Sequence, residues 1–371
     1  MDNSRRDFIK ILTTATAGSV SGLSWADIPK NENRKLGLAI VGLGKYATEQ
    51  LSVGLEESDY WKVTGIVTGS PEKIPAWKSK WNLKEKNILD YENFDKLAEL
   101  DDIDVVYIVL PNGLHAEYTI KAAKAGKHVI CEKPMAVSVE EAEQMVEACD
   151  AAGVKLAIGY RLHFNPFHQQ VMELGKNRMH GNIDLVDAKF SVDFKYVTPG
   201  QNNWRVKEAL SGGGSLMDVG VYCVQASRYS TAEEPVAVTA QFAPVVDKKL
   251  FNGVENGISF QLEFPSGAYA RCYSGYHGYI DELIVMADNA KYEVSQAFAY
   301  GPQSGSINGQ PMDFQNAHHQ RTQMEAMGSM FLSEDPLPDH ISGIEGVKDI
   351  RVMMAIYESA RKNGVKVMIS K

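Results

Sequence analysis

The chain has 371 residues, 44% of them hydrophobic and 23% charged, with 31 glycines and 14 prolines, which excludes disorder and collagen-like repeats and suits two domains of roughly 100 to 200 residues each. Lys and Arg number 38 against 47 Asp and Glu, a net charge of −9, and without a basic tract neither nucleic acid nor an anionic membrane surface is an expected partner. Cys131, Cys149, Cys223 and Cys272 show no CxxC spacing, so neither a disulfide framework nor a zinc site is indicated.

At the start of the chain, Ser4-Arg5-Arg6-Asp7-Phe8-Ile9-Lys10 precedes a mildly apolar stretch, residues 11–23, that is too short and too rich in Thr, Ser and Gly to span a bilayer. This resembles a twin-arginine export signal. Ser24-Trp25-Ala26 supplies small residues where a signal peptidase reads, so residues 1–26 are expected to be removed on export to the periplasm, leaving residues 27–35 as a short arm. From there apolar runs alternate with helical patterns. Leu36 to Val41, Val63 to Val67, Val105 to Leu110, Lys127 to Glu132 and Lys155 to Gly159 read as buried parallel strands, with helices Leu114 to Ala125 and Val139 to Ala151 between them. Residues 36–160 are therefore expected to form a doubly wound α/β domain. Beyond them the pattern changes to consecutive strands, Asn182 to Phe194, Val236 to Phe242, Gly257 to Phe264, Ala268 to Tyr273 and Leu283 to Ala287, so residues 161–371 should be α+β with a mainly antiparallel sheet. Glu345 to Arg361 has helical spacing and closes at Asn363-Gly364.

The first strand ends in Val41-Gly42-Leu43-Gly44-Lys45-Tyr46-Ala47, a G-x-G-x-x-A run between strand and helix, the context in which it cradles a dinucleotide pyrophosphate. At the end of the second strand, where an NAD site usually has an acid, stand Thr68-Gly69-Ser70 and then Lys73, which suit the 2′-phosphate of NADP. The same residues also fit a plain loop in which Ser70 caps and Lys73 is solvated. Cys131-Glu132-Lys133-Pro134 puts an ionisable pair at the carboxyl edge of the sheet, making Lys133 the first catalytic candidate beside the plainer option of a surface salt bridge. Ser215 and Asp218 have capping-box spacing after Gly212-Gly213-Gly214, and Asp218 and Tyr222 lie four apart on the helix expected from Leu216. Asp218 either caps or faces a site. The histidine pairs His163/His168 and His318/His319 lack metal-ligand spacing and read as packing or solvated residues.

Together with Leu110-Pro111-Asn112-Gly113-Leu114-His115, Gly159-Tyr160-Arg161 and Trp204-Arg205, these motifs are similar, in order and over most of residues 36–361, to the GFO/IDH/MocA oxidoreductases, and within them to the glucose-fructose and aldose-aldose oxidoreductase type. The resemblance implies a Rossmann domain joined to a C-terminal domain with a large open sheet, and a sugar oxidised between that sheet and NADP. It implies Lys133, Asp218 and Tyr222 as the catalytic group, touching substrate together with Arg161. It implies a cofactor site from Gly42, Leu43, Gly44, Lys45, Tyr46, Ser70, Lys73, Pro111, Asn112, His115, Glu132, Lys133, Arg161, Trp204 and Arg205, and association of copies through the C-terminal sheet. Many relatives carry His where Tyr222 stands, so tyrosine narrows the likeness to the sugar enzymes. The nine-residue arm, Asp27 to Lys35, departs from the long arm that wraps a neighbouring subunit in the glucose-fructose enzyme, so that assembly is not carried over. The chemistry is consistent in itself, since a sugar hydroxyl must lose its proton as hydride leaves carbon and a neighbouring lysine favours a tyrosine base. Competing expectations are a dehydrogenase with exchangeable cofactor, a nicotinamide-dependent glycosidase and a non-catalytic sensor.

Overall fold

In the computed structural model, residues 34–197 and 203–370 are described. The expected export signal and all but the end of the arm lie outside them. The first sheet has six parallel strands, β1 (Leu36–Val41), β2 (Trp61–Val67), β3 (Ile88–Leu89), β4 (Val105–Ile108), β5 (His128–Cys131) and β6 (Leu156–Ile158), in the order β3-β2-β1-β4-β5-β6. That is the doubly wound Rossmann order, whose reversal beside β1 opens a crevice at the carboxyl ends of the strands. The sheet is buried on both faces because successive side chains point to opposite sides. Leu38 and Ile40 of β1, Val105 and Tyr107 of β4 and Ile130 of β5 enter one apolar cluster, whereas Ala39, Val41, Val106, Ile108 and Cys131 enter another.

The second sheet has nine strands: β7 (Ile183–Ser191), β8 (Ala237–Phe242), β9 (Gly257–Glu263), β10 (Tyr269–Gly275), β11 (Ile280–Ala287), β12 (Ala290–Ser295), β13 (Ser304–Ile307), β14 (Gln310–Pro311) and β15 (Val367–Met368). They run in the order β14-β13-β12-β11-β7-β10-β9-β8-β15. All neighbours are antiparallel except β7 and β10, so the sheet is mixed. Helices Pro166–Lys176, Val221–Thr231 and Gly343–Arg361 pack on one face, and burial alternates along β9, β10 and β11 as it must when the other face is open. After the last helix the chain contributes one more strand, β15, paired to β8.

The helix His319–Leu332 belongs to the second half of the chain yet covers the first sheet. Its Met324, Met327 and Phe331, with Ile341 beyond, complete the cluster around Leu38 and Ile40. Trp61 Nε1 donates to the Met324 carbonyl, and the Glu325 carboxylate accepts from Ser58 Oγ and the Asp59 amide.

Candidate active site

The turn after β1 passes through Gly42 at φ +92°, where a Cβ would stand 2.3 Å from the Val109 carbonyl oxygen. Only glycine fits there. A Cβ on Gly44 would meet nothing within 4 Å, so the backbone there faces open space. The helix that follows is widened to a π turn over Ala47–Leu51, with Ala47 and Leu51 packed on the sheet. Lys45 is exposed, 3.8 Å from Glu49. Ser70 makes no side-chain cap, and Lys73 Nζ reaches across to donate to the Leu43 carbonyl at 2.8 Å. Ser70 thus does not cap as the plain-loop option had it, and Lys73 is tied to the glycine loop. An open cradle at a helix N-terminus with a lysine on its rim fits a dinucleotide pyrophosphate and an additional phosphate.

The loops after β4 and β5 are fastened from within. His115, expected at the cofactor, is fully buried, with its ring nitrogens 2.9 Å from the carbonyls of Pro134 and Leu110. The neutral ring has one N–H, so it donates to one of these carbonyls and packs against the other, pinned between the two loops. Asn112 Nδ2 ties the turn following Pro111 to the Ser211 carbonyl at 2.8 Å. Glu132 also turns inward: the Tyr107 hydroxyl donates to it at 2.6 Å, and Gln323 Nε2 and the Tyr46 hydroxyl meet Tyr107 at 3.2 and 3.3 Å. Burial pushes the Glu132 carboxyl up, although the Tyr107 and Tyr46 hydrogen bonds and the Lys133 charge work against it. Glu132 thus anchors the loop beneath the cleft and leaves Lys133 to face it.

Lys133 Nζ donates to the main-chain carbonyl of Asp218 at 2.8 Å and lies 4.6 Å from the Tyr222 ring centre. The Arg161 guanidinium carbon is 5.0 Å from the same ring, and Arg161 is held by the Phe298 carbonyl and by His319 Nδ1 at 2.6 Å. Phe190 and Phe298 pack on Tyr222 from the sheet side. The Asp218 carboxylate does not bind Lys133. It accepts from Arg205 Nε and from the Tyr276 hydroxyl, both at 3.0 Å, and Arg205 lies 4.6 Å from the Trp204 ring. The structure therefore gathers Lys133, Asp218, Tyr222, Arg161, Trp204 and Arg205 into one cleft at the strand ends.

The expected capping box is not made. The segment begins with a π turn, Leu216–Gly220, and Ser215 Oγ donates to the Ser274 carbonyl. The cap comes from afar: the Glu255 carboxylate accepts from the Gly214 and Leu216 amides, each at 2.8 Å, and from the Tyr357 hydroxyl. Glu255 and Tyr276 carry no signal in the sequence because neither sits in a spaced motif, and His319, expected to be a packing or solvated residue, holds Arg161; each meets the site through a long-range contact. His168, between the Tyr229 hydroxyl and the Ala297 carbonyl, and His163, against the His340 carbonyl, are packing groups, and His318 caps the helix that His319 opens. All four cysteines are free and buried, with Cys223 Sγ on the Tyr273 carbonyl.

Residues 36–160 match the oxidoreductase family with an NAD-binding Rossmann fold, and residues 168–294 match the GFO/IDH/MocA C-terminal domain. The chain belongs to the GFO/IDH/MocA oxidoreductases. It is similar to the D-xylose 1-dehydrogenase [NADP(+)] of Haloarcula marismortui, 30% identical over 93% of this chain and 96% of that protein. D-xylose 1-dehydrogenase (NADP(+)) 2 of Haloferax volcanii is 32% identical over 73% of this chain and 82% of its own. Among solved structures, the aldose-aldose oxidoreductase from Caulobacter crescentus superposes with a TM-score of 0.84 at 37% identity, covering 91% of this chain and 100% of that one.

Proposed function

We propose that the protein is an exported, NADP-dependent sugar oxidoreductase that removes hydride from an aldose and passes it to a second carbonyl compound without releasing its dinucleotide. The observation that carries this reading is the Lys133 ammonium, fixed by the Asp218 carbonyl and set against Tyr222 just past the carboxyl end of β5. The 36–160 layer would hold NADP through the Gly42, Leu43, Gly44, Lys45 and Tyr46 loop, Ser70 and Lys73, Pro111 and Asn112, with Trp204 and Arg205 arriving from the other half. When bound, NADP supplies the site that takes up and returns hydride. Tyr222 accepts the proton of the reacting hydroxyl, and the two cations beside it, Lys133 and Arg161, oppose the negative charge that develops as the proton moves. Lys133 has donors to spare for the substrate oxygen. Asp218 acts through its neighbours: its carboxylate, fixed by Arg205 and Tyr276, sets the carbonyl on which Lys133 rests.

Retention of the dinucleotide is supported by the signal-like N-terminus, since an enzyme working outside the cytoplasm has little free NADP to draw on, and by the likeness to an enzyme named for acting between two aldoses. The likeness to two enzymes named dehydrogenases favours a second reading, a sugar dehydrogenase that exchanges its cofactor. The test is to dialyse the purified protein, denature it and analyse the supernatant for dinucleotide. Stoichiometric NADP, with turnover of paired sugars and no addition, is the expected result; empty protein that works only with added NADP would establish the dehydrogenase. Ser70→Asp should shift preference towards NAD, because an acid there repels the 2′-phosphate and suits a ribose hydroxyl. The open face of the second sheet is where we infer that copies of the chain associate.

A further inference from the structure

We propose that Tyr300 is the platform on which the ring of the substrate sugar rests, so that the enzyme selects cyclic aldoses over open-chain polyols. The inference rests on the sugar-oxidoreductase reading and adds a specificity residue that no motif indicated. Tyr300 is 46% exposed, yet its ring lies 4.3 Å from the Arg161 guanidinium carbon. Arg161 is in turn 5.0 Å from the Tyr222 ring, and that ring 4.6 Å from Lys133 Nζ. Aromatic and cationic groups therefore alternate from the rim of the cleft to the reacting group. An exposed tyrosine is common enough on a surface, but this one is not on a slack loop. The Asp281 carboxylate accepts from the Phe298 and Ala299 amides at 2.7 and 3.0 Å, Gln303 Nε2 donates to the Ala297 carbonyl at 2.6 Å, and Arg161 donates to the Phe298 carbonyl. The segment enters and leaves at positive φ, Gln296 at 52° and Gly301 at 116°.

A rigidly held aromatic face beside a few charged donors is the arrangement that recognises a ring with one apolar C–H face and a hydroxyl-bearing edge. An open-chain polyol offers no such face. Its polar groups would meet Arg161 and Lys133 equally well, but the face of the Tyr300 ring turned away from Arg161 would be left without a flat partner.

The experiment compares the purified protein with Tyr300→Phe and Tyr300→Ala, using an aldopyranose and sorbitol as donors and following kcat and KM separately. For the aldopyranose, Tyr300→Ala should raise KM about tenfold with kcat within twofold, Tyr300→Phe should restore KM, and the KM for sorbitol should not move. An unchanged aldose KM, an equal rise for sorbitol, or a loss confined to kcat would overturn the proposal, the last assigning Tyr300 to ordering Arg161. Absence of aldose oxidation in the unsubstituted protein would instead refute the sugar-oxidoreductase reading on which the proposal stands.

Discussion

Lys133 and Tyr222 reach the cleft from different halves of the chain, and their contact is what a change in either should break. Lys133→Met and Tyr222→Phe are each expected to lower turnover about 100-fold, about 3 kcal/mol of transition-state stabilisation, with dinucleotide binding retained; steady-state kinetics beside a binding titration checks both. Asp218 sits under opposing influences. Burial pushes its carboxyl up, but the Arg205 and Lys133 charges and the Tyr276 hydroxyl hold it below the ordinary aspartate value. A group so lowered binds fewer protons folded than unfolded, so it adds stability above the unfolded value of about 3.9 and loses it as pH falls through the folded one. Asp218→Asn should therefore lower Tm at pH 6, and the deficit should shrink below about pH 4. Thermal unfolding across that range reads the sign directly, and a deficit independent of pH would count against the pairing. Legibility at this scale followed contiguity. Gly42, Gly44, Lys133 and Tyr222 stand in short motifs whose chemistry is local, whereas nothing in the neighbourhood of His115 announces that its ring would be buried between two main-chain carbonyls.

At the scale of elements, the glycine loop divides its work between two residues. Gly42 answers to the fold, being at positive φ and pressed on the Val109 carbonyl; Gly44 answers to whatever enters the open space beside it. Gly42→Ala is expected to cost about 1–3 kcal/mol of stability. Gly44→Ala should leave stability within about 0.5 kcal/mol and weaken dinucleotide binding at least tenfold. Urea unfolding and titration with NADPH separate the two, and equal behaviour would show that the loop is only a turn. The same contrast explains what the sequence revealed of the elements. The inner strands of the first sheet, such as β1 and β4, are continuous apolar runs because both their faces are covered, and their bounds were read to within a few residues. Strand β12, Ala-Lys-Tyr-Glu-Val-Ser, alternates in both sequence and burial but is only six residues long, whereas the helix His319–Leu332 buries Gln320, Gln323 and Glu325 as well as methionines and so lacks the apolar stripe that would have marked it.

For the whole molecule, that helix is the joint between the two halves. Gly328 lies where an added Cβ would come within 2.3 Å of the Tyr60 side chain, so Gly328→Ala must push the helix off the first sheet. A loss of about 1–3 kcal/mol is expected. Because His319 and Gln323 on the same helix support Arg161 and Tyr107, KM for the sugar should rise as well. Calorimetry with kinetics on one preparation tests both; a fall in Tm with unaltered KM would show that the site is insulated from the joint.

The late position of the joint in the chain also governs synthesis. A ribosome releases all six strands of the first sheet long before it reaches Met324, Phe331 and Ile341, so one side of that sheet waits without its cover. At roughly 5 to 20 residues per second the wait is on the order of ten seconds or more. During that interval the nascent protein presents an apolar surface to the translation machinery, and a message cut short upstream of residue 319 would yield a polypeptide that never stops presenting it.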